Sequence, residues 1–207
     1  MNMKRVLLGI MAAALAVAPT FAQDAEKPKK KMPSSAKYFT SLKAATKEAM
    51  KYDAPIFVAA VGKGSVAEDA VKGLIKHKFF KEIAQKGFFV YTMRVELSKK
   101  EKDIDGRSPK PLYEKLTEGD RALLDVICPP DKIRKLPVFG MVTPDAKEVK
   151  IKPVDMPRVP TSEYLGPYLQ NLQSAAQAYG IDIEMSKALV KYIENPPAEK
   201  KKKKGKK

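Results

Sequence analysis

The chain has 207 residues and a formal net charge of +16, with 44% hydrophobic residues, one cysteine, one histidine and no tryptophan. One cysteine excludes an internal disulfide, and one His with one Cys excludes a closed zinc site built from such ligands. The charge is concentrated at the end. Residues 196–207 hold seven lysines against Glu199, so the body is only mildly basic and does not read as a nucleic-acid-binding face.

The first 22 residues have a charged start (Lys4, Arg5), an apolar run from Val6 to Val17, and small residues up to Ala22. This is the pattern of a secretory signal peptide with cleavage after Ala22, and the run is too short to span a bilayer comfortably. The expectation is export, to the periplasm or the exterior. Residues 23–36 read as a flexible basic leader, 37–195 as one folded domain with an insertion around 98–132, and 196–207 as a Lys-rich tail.

Within the domain, Thr40 or Ser41 can cap a helix with Leu42, Ala45, Ala49 and Met50 on one face, stopped at Asp53-Ala54-Pro55. Ile56 to Val61 is a continuous apolar run, the mark of a strand buried on both faces. Ser65-Val-Ala-Glu68 fits a capping box, with the serine hydroxyl on the third helical N–H and the carboxylate on the serine's own N–H. Val66, Ala70 and Leu74, with Val71 and Ile75, form that helix's expected inward face. Phe79, Phe80 and Ile83 extend the packing to Gly87, read as a terminator.

Phe88 to Val95 is a second core strand, and residues 98–111 a polar excursion. Leu112, Leu116, Leu123, Leu124 and Ile127 predict helix, interrupted near Gly119 and ended by Cys128-Pro-Pro130. Val138–Val142 and Glu148–Ile151 flank the turn Thr143-Pro-Asp-Ala146 as a hairpin. A Pro-rich connector then leads to a helix over about 161–178 and a shorter one capped by Asp182 and reaching about Glu194.

Lys51-Tyr-Asp-Ala-Pro-Ile-Phe-Val58, Ile133-Arg-Lys-Leu-Pro-Val-Phe139 and Pro144-Asp-Ala-Lys-Glu-Val149 occur in the order and setting found in the thioredoxin-like family, which residues 37–178 resemble. The resemblance implies an α/β, three-layer sandwich: a central mixed sheet flanked by helices, with an extra C-terminal helix. It implies a cis bond at Leu136-Pro137 and a groove beside it where an extended peptide or protein partner binds. The family's two active-site cysteines would fall at Ser65 and Glu68, which cannot form a disulfide. The chain is therefore read as a divergent, non-catalytic binding or scaffold protein. One alternative is a thiol-dependent redox enzyme using Cys128, or a degenerate Ser65/Glu68 site.

Ser65 and Glu68 also read simply as a helix cap, and Cys128 as a small buried hydrophobe. His77, between Lys76 and Lys78, reads as a solvated residue. Val61-Gly-Lys-Gly-Ser65 lacks phosphate-loop spacing, and no cofactor or metal is called for. Lys200, Lys201, Lys202, Lys203, Lys204, Lys206 and Lys207 form a solubilising tail, or one attracted to an anionic envelope polymer or membrane surface. Without interleaved aromatics the tail does not read nucleic-acid sequence.

Overall fold

The structure is a computed structural model that describes residues 32–98, 110–128, 136–151 and 162–195. The signal peptide, most of the leader, the middle of the insertion, the Pro-rich connector and the Lys-rich tail lie outside the described residues.

Five strands form one sheet in the order β1-β3-β2-β4-β5. They are β1 (Tyr38–Phe39), β2 (Ile56–Gly62), β3 (Phe89–Val95), β4 (Val138–Val142) and β5 (Val149–Ile151). β1 and β2 lie parallel to β3 on its two sides, β4 runs antiparallel to β2, and β5 closes the hairpin with β4. Among the described residues six α-helices accompany them: α1 (Leu42–Tyr52), α2 (Val66–Lys76), α3 (Lys78–Gly87), α4 (Glu118–Ile127), α5 (Ser162–Gln177) and α6 (Lys187–Glu194).

The alternation of side chains along the central strands divides the core in two. Phe57, Ala59, Val61, Val90, Phe139 and Met141 point to one face, under α2, α3, α5 and α6. Ile56, Val58, Ala60, Phe89, Tyr91, Met93 and Val95 point to the other, under α1 and α4. Every residue of β2 is buried, which explains the unbroken apolar run. The result is an α/β sandwich with a mixed five-stranded sheet.

Several expectations need correction. The helix expected to run from 65 to 87 is broken at His77, whose backbone is extended (φ −66°, ψ 132°). His77 is half-buried rather than fully solvated: its ring lies against Phe79 and Tyr192. Val66 and Met50, assigned to inward faces, are 56% and 60% exposed, because Val66 starts its helix and Met50 lies off the Ala45–Ala49 stripe.

Gly87 is needed for close approach rather than for a left-handed turn. A Cβ there would meet Ile183 Cδ1 at 2.2 Å. Gly119 lies inside α4 and interrupts nothing; the break comes earlier, between a 3-10 turn at Tyr113–Lys115 and the Thr117 cap. Ser186, not Asp182, caps α6, its hydroxyl accepting the Leu189 N–H at 3.2 Å. β1 was not expected; its two residues are too short for an alternating pattern to register.

Candidate functional site

The strand register converges on the C-terminal end of β2. Gly62 pairs with Val95 and Val61 with Arg94, while Ala60 pairs with Val138 on the other side. Leu136 and Pro137 immediately precede Val138, so they continue alongside the last residues of β2. Their peptide bond is cis, as expected, and both side chains are half-buried.

From β2 the chain turns into α2. The Lys63 N–H donates to Val95 O at 2.8 Å and the Ser65 N–H to Gly62 O at 3.1 Å. Gly64 takes φ +74°, a left-handed conformation that glycine adopts without a Cβ penalty. Ser65 Oγ then accepts the Glu68 N–H at 3.2 Å and donates to Gly62 O at 2.7 Å. The helix is capped as expected.

The return contact differs. Glu68 Oε2 accepts the N–H of Gly64, at 2.6 Å, rather than that of Ser65. The Ser65 N–H is already given to Gly62 O, so the carboxylate takes the next donor back. Glu68 Oε1 meets Arg94 Nε at 2.8 Å and Lys72 Nζ at 3.4 Å, with Glu68 only 3% exposed.

Burial alone would push the Glu68 carboxyl up. The Gly64 N–H, the Arg94 guanidinium and Lys72 outweigh it and hold the group below the ordinary carboxylate range. Such a carboxylate is a weak base. The Ser65 hydroxyl, 8% exposed, is committed as donor and as acceptor. Nucleophilic attack would require both bonds to be given up. The pair is a built helix start.

Arg94 escaped the sequence reading. Its signal was present: one charged residue inside the apolar run Phe88–Val95 needs a partner or an exit to solvent. Lys63 and Glu96 add an exposed ion pair at 2.5 Å beside the turn. Val66, the first residue of α2, leaves an apolar side chain in solvent at this end.

Cys128 is not brought to this turn. It caps α4, its N–H donating to Leu124 O at 2.8 Å, and it is half-buried rather than enclosed. The end of α4 lies over β4, where a Cβ on Gly140 would meet Ile127 Cγ2 at 2.7 Å. That is the α1/α4 side of the sheet, whereas α2 packs on the other. The lysines of the tail lie outside the described residues.

The α1/α4 side carries an open cleft of about 770 Å³ that the sequence did not announce. Thr40, Ser41 and Leu42 line one wall, Thr117 and Asp120 another, and Asp145 to Lys147 of the β4–β5 turn a third. Tyr91 donates to Asp120 Oδ1 at 2.6 Å and Thr117 Oγ1 donates to Oδ2 at 2.8 Å. Burial, then the Asp120 carboxylate, pushes the Tyr91 phenol far up, so it stays a neutral donor.

Among the described residues, no group of three or more His, Cys, Asp or Glu is placed to hold a metal ion, and no helix is long and apolar enough to cross a membrane. A scan against family models finds no match for the chain, and a search of curated proteins finds none.

Proposed function

We propose that this chain is an exported, thioredoxin-like binding protein that holds an extended segment of a protein or peptide partner beside the end of β2, and that it exchanges no disulfides. The observation that carries the reading is the state of the Ser65–Glu68 turn. Both side chains are buried and fully bonded, with no thiol at either position. A turn built this way offers shape and backbone groups to a partner, and nothing that reacts.

Three further observations support it. The mixed sheet, with β2 and β3 parallel and β4–β5 an antiparallel hairpin, agrees with the mixed sheet the family resemblance implied. Leu136-Pro137 continues beside β2 by register, which leaves the two loops as neighbours. Val66 supplies an exposed apolar contact at the same end. Export rests on the first 22 residues, and the lysine tail is proposed to add a salt-sensitive attraction to anionic surfaces.

Insulin reduction with dithiothreitol tests the absence of redox activity. The expected rate equals that of dithiothreitol alone. A faster rate that disappears in Cys128→Ser would establish the redox alternative instead. Intact mass of exported protein should begin at Gln23; a mass retaining residues 1–22 would contradict export by cleavage.

A further inference from the structure

α6 closes over the break between α2 and α3, with Leu189 buried in the core and polar fastenings at its start. At its start, the N–H and hydroxyl of Ser186 donate to the two carboxylate oxygens of Glu82, at 2.8 and 2.9 Å. Lys86 donates to Glu184 O at 2.5 Å, and Gln173 donates to Ile183 O at 2.9 Å. At its far end Tyr192 lies on Phe79, ring centres 4.8 Å apart, and on His77 at 5.6 Å. Gly166 of α5 admits the backbone here, since a Cβ on it would meet Ile193 Cα at 3.3 Å.

His77 is the anomaly in this interface. Its Nδ1 is enclosed, and among the described residues no hydrogen-bond partner reaches it. A neutral imidazole tolerates that position. An imidazolium does not, because its Nδ1–H would be a buried charged donor with no acceptor.

The neighbours offer no relief. Lys76 and Lys78 flank the ring in the chain, and Lys78 Nζ sits 4.6 Å from the centre of the Phe79 ring. On α3, Glu82 is taken by Ser186 and Lys86. Among the described residues no group of α6, Lys187, Lys191 and Glu194 included, bonds Nδ1, and the Tyr192 phenol is kept neutral by burial. α5 carries no charged residue from Leu165 to Gln177.

We propose that α6 is a pH-released latch, docked while His77 is neutral and let go when the imidazole takes a proton. Release would uncover Phe79 and the apolar side of α6, and the device is independent of the turn at Ser65. Burial, reinforced by Lys78, holds the docked imidazole below its ordinary pKa. A depressed pKa in the docked state means that docking is at full strength above the undocked value of about 6.5. Docking then weakens as pH falls below that value, about tenfold per pH unit, until the docked pKa is reached.

The test is hydrogen exchange on the full chain without added histidines, following residues 187–194 against the core strand β2 from pH 7.5 to 5. After correction for intrinsic rates, exchange in α6 should rise several-fold to tenfold between pH 6.5 and 5.5 while β2 stays protected. In His77→Gln the ratio of α6 to β2 exchange should be flat with pH. An unchanged ratio in the parent chain, or the same rise in the variant, overturns the proposal. The single histidine also gives one imidazole resonance, which needs no variant. Its midpoint should lie below 6.5, and a midpoint at or above that value overturns the latch as well.

Discussion

The serines that start α1 and α2 have become different things. Ser65 and Ser41 both hold extended N-cap backbone, but Ser65 caps by its side chain and Ser41 makes no such bond. Three residues on stands Glu68 in one case and Ala44 in the other. Glu68 ties the turn to Gly64, Arg94 and Lys72, and the end of β2 is fixed by it. The start of α1, lacking an acid in its first turn, stands at the wall of an open cleft. Between these two starts, the one whose serine makes its cap bond is the one that also has the carboxylate and the strand cation that holds it.

Replacing Glu68 should break the contrast most. Glu68→Ala removes a buried carboxylate with three partners and should cost about 2–3 kcal/mol by urea unfolding, since charge-assisted bonds are the stronger kind. Arg94→Ala should cost less than Glu68→Ala, because Arg94 is half in solvent and Lys72 still faces the carboxylate. Ser65→Ala loses the cap and should cost about 1 kcal/mol. Ser41→Ala should stay within about 0.5 kcal/mol, having no side-chain bond to lose. Ala44→Glu, which gives the bare helix its missing acid, should gain a few tenths to about 0.5 kcal/mol.

The same contrast has a pH dependence with a definite sign. The Glu68 carboxyl titrates below its ordinary range in the folded chain, so its contribution is present above the unfolded pKa of about 4.3 and is lost as pH falls below that. The stability gap between the parent chain and Glu68→Gln should be constant from pH 7 to 5 and shrink below about 4.3. A gap that widens on acidification would contradict the assigned ion pairs.

The fold was legible where one residue pattern had one physical cause. Ile56–Val61 could only be a strand covered on both faces, and the 138–151 hairpin declared itself through its Thr-Pro-Asp turn. The capping box could be read from Ser65 and Glu68, but its partner Arg94 sits 26 residues later, and strand register alone brings it near. Tertiary contact hid the rest. Gly87 looks like a helix stop in sequence and is a contact point for Ile183 in space. His77 sits between two lysines and looks solvated, yet Tyr192 of a distant helix covers it.

Photo-crosslinking compares the proposed binding end with a control of similar exposure. A benzophenone amino acid at Val66, beside the Ser65 turn, is set against one at Met50, on the outer side of α1, in the source cell. Val66 and Met50 are 56% and 60% exposed, so collision alone would label both equally. A discrete protein or peptide adduct from position 66, absent from position 50 and weakened by Glu68→Ala, is the result expected of a binding site at the end of β2. Equal labelling from both positions, or adducts from position 50 alone, would contradict it.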